Sequence, residues 1–280
     1  MHPLLALPFR PLPIRIPLRL PLGLSAALVR ATALDAALLA GHLLLYPAGI
    51  HPAGIAGGRR RAPGRTAGAE PPAVLLHGLV DNRSVFVVLR RTLSRRGRRL
   101  ECLNYSLLTC DIRTAAELLG RHVEEVCARS GHARIDLVGH SLGGLIARYY
   151  VQRLGGDRRV RTLVTLGTPR SGTVAVPPAG LHPLVRQMRP GSSVLRELAG
   201  PAPGCRTRFV GFWSDLDALM SPVETARIDH PDLTAENVRV TGIGHLALLF
   251  HPAVAAAVHE ALSASPDGHS DGTSDSAAVA

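Results

Sequence analysis

The pentapeptide Gly139-His140-Ser141-Leu142-Gly143 holds the residue best suited to covalent chemistry. A serine with a glycine two places to either side can occupy a sharp, strained turn that pushes its hydroxyl outward. The pattern alone is common. Here it follows the apolar run 135–138 and opens a helix-like stretch over 142–154, so strand, turn and helix stand where an exposed nucleophile needs them. Gly144 would let that helix lie close to the sheet. The competing reading is a glycine-rich connection carrying a passive serine.

A serine hydroxyl is a weak nucleophile near neutral pH. It needs a base within hydrogen-bond reach, and the base needs an orienting carboxylate. On a strand–turn–helix elbow these follow in the chain order serine, acid, histidine. The apolar run 206–213 leads into Ser214-Asp215-Leu216-Asp217, and the run 238–241 into Gly242-Ile243-Gly244-His245. His245 follows two glycines that let the backbone turn sharply. His251 sits beside Pro252 at a helix start, where a surface or capping role suits it better. Asp217 lies between Leu216 and Ala218-Leu219-Met220, which favours a buried setting. Asp215 stays open as a cap or brace. The backbone amides of Leu142 and of Leu79, after His77-Gly78, are the candidates to hold an oxyanion. His77, Asp81 and Asn82 read as braces of the Leu79 loop.

The elements that would position these groups alternate in type. Runs 73–77, 99–105, 135–139, 160–166, 206–213 and 238–241 read as strands. Ile112–Ser130, 142–154 and about 252–262 read as helices. Such alternation predicts a mostly parallel sheet of about six strands with helices on both faces. Its strand C-terminal ends share one edge, where open α/β sheets bind ligands. The stretch 173–205, with Val174, Val176, Leu181 and Leu184 among prolines, is either a short apolar lid or an ordinary crossover connection.

Of 280 residues, 46% are hydrophobic, 28 are Gly and 22 Pro, which excludes a collagen-like or wholly disordered chain. No repeat period is visible. The net charge is +11, every basic residue is arginine, and aromatics make up only 4%. Arginines spread along the chain without stacking aromatics argue against nucleic-acid binding. Attraction to an anionic membrane surface remains open. Cys102, Cys110, Cys127 and Cys205 show no C-x-x-C spacing, so they suit either two disulfides in an exported chain or scattered thiols.

Three segments follow. Residues 1–72 form an N-terminal segment rich in Pro and Arg. Its prolines exclude a helix over 1–21, an apolar helix spans 22–46 and ends at Pro47, and 47–72 reads as a linker. The apolar helix has the length to cross a bilayer. Arg30 and Asp35 inside it would each cost about 2.5–3.5 kcal/mol near the bilayer centre, and His42 lies there too. Membrane association is the favoured reading, against a signal-like segment, with secretion, or a helix packed on the domain. Residues 73–263 form the catalytic domain, and 264–280 a disordered tail.

The blocks Val74-Leu75-Leu76-His77-Gly78, 137–144, Leu166-Gly167-Thr168-Pro169, 213–217 and 242–245 resemble the lipase group of the α/β-hydrolase superfamily, in particular small bacterial triacylglycerol lipases and esterases. The similarity covers about residues 73–262. It implies an α/β-hydrolase fold and cleavage of carboxylic esters, foremost lipids, through an acyl-enzyme. Ser141 would be nucleophile, Asp217 acid and His245 base, with Leu79 and Leu142 as oxyanion amides and no metal or organic cofactor. Acyl transfer or thioester cleavage would use the same triad, and a non-catalytic lipid-binding chain would keep the fold without the chemistry. Such lipases often read Thr-Pro-His where this sequence has Thr168-Pro169-Arg170, a change expected at the rim of the site. Residues 1–72 have no counterpart in the minimal lipases.

Overall fold

The computed structural model describes residues 25–50, 70–105, 111–175 and 182–264. The proline-rich stretch 1–21, most of the linker, Cys110, Val176, Leu181 and the tail beyond 264 lie outside the described residues.

The chain runs α1 (Ala26–Ile50), β1 (Ala73–Leu76), α2 (Val87–Arg95), β2 (Leu100–Leu103), α3 (Ile112–Ser130), β3 (Ile135–His140), α4 (Leu142–Arg153) and β4 (Val160–Leu166). It continues with α5 (Pro183–Gln187), α6 (Ser193–Ala199), β5 (Arg208–Ser214), β6 (Ala235–Val240), α7 (Ala247–Phe250) and α8 (Pro252–Ser263). The six strands form one sheet in the order β2-β1-β3-β4-β5-β6, and every neighbouring pair is parallel. This is the α/β-hydrolase architecture.

The central strands are covered on both faces, which is why they read as unbroken apolar runs. Val74, Leu76, Leu137 and Phe209 pack on one side with α3 and α4 residues such as Leu119, Val123, Leu145 and Ile146. Their neighbours Ala73, Leu75, Val138 and Val210 point the other way, onto Leu89 and Leu93 of α2 and Val254 and Val258 of α8. The alternation is the two-residue period of a strand. Phe86, Phe209 and Phe212 are among the largest fully buried side chains, each contributing about 1.5–3 kcal/mol relative to exposure.

Local chemistry sets the boundaries. The Asp111 carboxylate accepts from the Thr114 amide at 2.8 Å to start α3, and Gly131, at φ 74°, ends it. Asn82 starts the 3-10 turn Arg83–Phe86 by accepting from the Ser84 amide at 2.9 Å, and α2 follows directly. Pro47 does not end α1, which runs on to Ile50. The carbonyl that Pro47 leaves without its usual donor belongs to Leu43, on an exposed stretch that water reaches. Between β4 and β5, Leu184, Met188, Val194, Leu195 and Leu198 are buried in the core. The described part of 173–205 is therefore a crossover connection and not a lid.

Opposite the site, Asp136 on β3 takes hydrogen bonds from Arg98 (2.7 Å) and from Arg161 (3.0 and 2.7 Å). Arg98 also reaches the Leu262 carbonyl at the end of α8. Cys102, Cys127 and Cys205 are free thiols.

Candidate active site

β3 delivers Ser141 to the C-terminal edge of the sheet, and α4 begins at the next residue. Ser141 adopts φ 51°, ψ −120°, the only positive φ at a non-glycine position among the described residues. That strain persists because the surroundings leave no alternative. Gly143 lies so close to the end of β1 that a Cβ there would stand 2.6 Å from the His77 carbonyl oxygen. A larger residue would push α4 off the sheet and release the turn.

Two later loops converge on the same edge. After β5, the Asp217 carboxylate takes two backbone amides on Oδ1, from Leu219 (3.0 Å) and Met220 (3.2 Å). Its Oδ2 lies 2.7 Å from His245 Nδ1. Asp217 and His245 are both buried. Asp215 points elsewhere: it pairs with Arg239 at 3.1 Å and takes the Gly242 amide at 3.2 Å, bracing the turn after β6. His251 starts α8. The His245 ring stands 4.7 Å, centroid to centroid, from that of His140, the residue before Ser141. With Nδ1 on the carboxylate, His245 keeps Nε2 for another partner.

The loop after β1 lies across the elbow. A Cβ on Gly78 would stand 3.4 Å from the Ser141 Cβ, so the loop that goes on to Leu79 passes against the serine at Gly78, and Leu142 opens α4. His77 stacks on Tyr105 with ring centroids 4.3 Å apart, and its Nδ1 lies 2.9 Å from the Gly78 carbonyl oxygen. It braces the loop. Asp81 is buried between His140 Nδ1 at 3.4 Å and His42 Nε2 at 3.6 Å. Arg170 turns inward instead of reaching the rim: it is buried, its guanidinium donates to Thr165 Oγ1, and its carbonyl accepts from Arg148.

The electrostatics favour a basic imidazole at His245. Burial alone would lower the pKa of His245. The charge and hydrogen bond of Asp217, then Asp35 and Asp81, outweigh it, and the net shift is upward. Desolvation pushes Asp81 up, but its imidazole neighbours, His140 first, draw it below the ordinary carboxylate range. Burial holds the His140 pKa down despite Asp81.

Sequence reasoning missed the contribution of α1. Asp35 Oδ1 accepts from the Ala247 amide at 3.0 Å, His42 faces Asp81, and the Tyr46 carbonyl accepts from Asn82 Nδ2 at 2.8 Å. The signal was the spacing. Positions 35, 42 and 46 are seven and four apart and so share one helix face. Of the polar residues that argue against a simple membrane span, Asp35 and His42 are turned toward the domain, while Arg30 is exposed.

The family model described as palmitoyl protein thioesterase matches residues 72–216. The chain belongs to that family. The matched stretch runs from β1 through the elbow to β5 and stops one residue short of Asp217. Among curated relatives, this thioesterase-family chain is 29% identical over 110 residues to a triacylglycerol lipase of Pseudarthrobacter phenanthrenivorans, covering 36% of this chain and 34% of the relative. It is 30% identical over 110 residues to a triacylglycerol lipase of Burkholderia plantarii, covering 36% of this chain and 30% of the relative. The chain thus spans about a third of the length of these relatives. In fold it is similar to Aspergillus fumigatus lipase B (TM-score 0.61, 17% identity, 71% of this chain and 53% of that one). It is similar likewise to mature Bacillus licheniformis lipase BlEst2 (TM-score 0.59, 16% identity, 72% of this chain and 94% of that one). The thioesterase-family chain thus shares the α/β-hydrolase fold with these lipases.

Proposed function

We propose that this protein hydrolyses carboxylic esters, with lipids as the substrate class, through Ser141, His245 and Asp217. The observation that carries the reading is the His245–Asp217 contact at 2.7 Å, with the His245 ring 4.7 Å from that of His140, whose chain neighbour is a serine held at φ 51°. Ser141 Oγ bonds to the ester carbonyl carbon while its proton passes to His245 Nε2. Asp217 holds the imidazole in the required tautomer and stabilises its charged form. The Leu79 and Leu142 amides take the oxyanion. The carbon–oxygen bond to the alcohol breaks as His245 returns the proton, and water repeats the sequence on the acyl-enzyme. The reaction so written draws on no metal or organic cofactor.

Thioester cleavage is the second reading, favoured by the family match over 72–216. A thiol leaves readily as thiolate, with a pKa of about 8.5, so it leans less on proton return from His245 than an alcohol does. Paired acyl substrates differing only in oxygen or sulfur separate the two by their ratio of kcat/KM. Acyl transfer is read by offering glycerol or alcohols against water.

The lipid reading draws further support from α1. Its apolar stretch Ala26–Pro47 is 22 residues long with a mean hydropathy of 1.5, and Leu43, Leu44 and Leu45 are exposed on it. In this proposal α1 lies against a membrane surface while its polar face stays docked on the domain.

The test uses p-nitrophenyl esters of graded chain length. The wild type turns them over and is labelled by a fluorophosphonate probe, while Ser141→Ala keeps the fold and loses both. Turnover surviving in that variant would refute the nucleophile. Absent labelling of the wild type would leave a lipid-binding protein on a hydrolase fold.

A further inference from the structure

We infer that Asp35 of the N-terminal helix is a positioning residue for His245, which makes α1 a working part of the active site. The inference rests on the reading of His245 as the catalytic base.

The contact is close and specific. Asp35 Oδ1 accepts from the Ala247 amide at 3.0 Å. The same carboxylate fills the space where a Gly244 side chain would begin, so a Cβ at 244 would overlap it. Gly244 and Ala247 bracket His245, and Asp35 therefore fixes the short segment that aims the imidazole. Glycine at 244 has its reason here: the backbone must pass directly over a carboxylate.

Further along the same helix, the domain is gripped a second time. His42 stands 3.6 Å from Asp81 Oδ1 and 3.4 Å from Ser84 Oγ, and the Tyr46 carbonyl takes Asn82 Nδ2. Eleven residues of helix span about 16 Å. A single rigid rod thus holds the loop carrying the base at one end and the loop carrying the Leu79 amide at the other. Neither loop belongs to the sheet, and the catalytic geometry needs their separation fixed.

The charge on Asp35 also needs a reason. Asparagine or serine caps an exposed backbone amide about as well as aspartate does, and a half-buried carboxylate costs more to desolvate. The cation that forms on His245 during acyl transfer supplies the reason. The titratable groups facing His245 are Asp217 from the loop after β5, Asp35 from α1, Asp81 from the loop after β1, and His140 from the elbow. Three of the four are carboxyls that favour the imidazolium. Burial raises the pKa of Asp35 itself, with the Ala247 amide and then His245 opposing the rise.

The test replaces Asp35 by Asn, which keeps an acceptor for the Ala247 amide and removes the charge. The readouts are the NMR titration of the His245 imidazole, assigned by comparison with His245→Gln, and the pH profile of kcat/KM on a soluble p-nitrophenyl ester. In Asp35→Asn the His245 pKa and the acid limb both move to lower pH by about half a unit or more. At the optimum kcat drops about tenfold while KM stays within about twofold. Asp35→Ala loses the hydrogen bond as well and falls further. A His245 titration that does not move in Asp35→Asn, whether that protein melts normally or early, makes Asp35 a structural cap and overturns the inference. If folded wild type cleaves no ester, the hydrolase reading fails, and the NMR arm still decides whether Asp35 acts on His245.

Discussion

Ser141, Asp217 and His245 come from three loops that are far apart in the chain, and each is held by backbone geometry. Ser141 is fixed by its strained turn, Asp217 by two amides, and His245 by the contact between them. Replacing Asp217 by Asn keeps the shape but removes the charge and lets an amide hydrogen oppose Nδ1–H. The expected result is a loss of about 10³–10⁴-fold in kcat with KM little changed, measured on a soluble ester. The pH profile follows from His245. Its pKa is raised, so the proton is held above the usual imidazole value of about 6.5. On the proposed mechanism only the neutral ring accepts the serine proton, and activity in the wild type should therefore be lost as pH falls through that raised value. An acid limb centred below about 6 would contradict the assignment. The three proposed residues could be picked out of the sequence because an elbow implies a chain order and glycine spacing marks the turns. The choice between Asp215 and Asp217 rested on apolar neighbours alone, and the structure gives the physical reason: only the second reaches inward, while the first is drawn off by Arg239 and the Gly242 amide. Arg170 read from the sequence as a rim residue because nothing in its neighbours announces that its side chain folds back under β4.

At the scale of elements, the parallel sheet was plain from apolar runs of strand length, since burial on both faces removes polar interruptions. The helix α2 was not. Arg90, Arg91 and Arg95 interrupt it and conceal the thin stripe of Leu89 and Leu93 that packs under the sheet. The crossover after β4 could equally have been a lid, because apolar residues among prolines look alike whether they face core or substrate. The sheet has its own polar clamp at the end away from the site. Asp136 is fully buried between Arg98, also buried, and Arg161. Asp136→Asn removes the charge that both guanidiniums face. Arg98 keeps Glu70 at 2.6 Å, so only part of the pairing is lost, and the buried charge-assisted hydrogen bonds that go cost about 1.5–3 kcal/mol. Urea unfolding should show this as a lower midpoint. Below that midpoint kcat should stay near wild type, since the clamp lies at the opposite edge of the sheet. A variant as stable as wild type would mean that Glu70 and water satisfy the two arginines.

For the whole molecule, the question is whether the proposed membrane contact of the apolar helix is compatible with its docking on the domain. Leu44 is 84% exposed and Leu43 55%, whereas Asp35, His42 and the Tyr46 carbonyl are engaged with the loops around the site. Spanning a bilayer would pull Asp35 off the Ala247 amide and place Arg30, Asp35 and His42 in hydrocarbon, at about 2.5–3.5 kcal/mol for each of the first two near the centre. Lying in the interface keeps those contacts and buries only the leucines. The net charge of +11, all of it arginine on the basic side, adds attraction to anionic headgroups, about 1 kcal/mol for each arginine near the surface. The full-length protein should therefore co-sediment with vesicles containing phosphatidylglycerol more strongly than with pure phosphatidylcholine, and high salt should release much of it. Leu44→Asp should weaken binding to both vesicle types by about tenfold, because it removes buried apolar area without touching the docked face. Its turnover of a soluble short-chain ester should stay at the wild-type level, since Leu44 points away from the site, while turnover of ester presented in vesicles should fall with the binding. Binding that resists both high salt and Leu44→Asp would instead indicate a helix inserted across the bilayer. In that case the contacts of Asp35 and His42 could not survive in the bound state, and turnover would have to proceed without them.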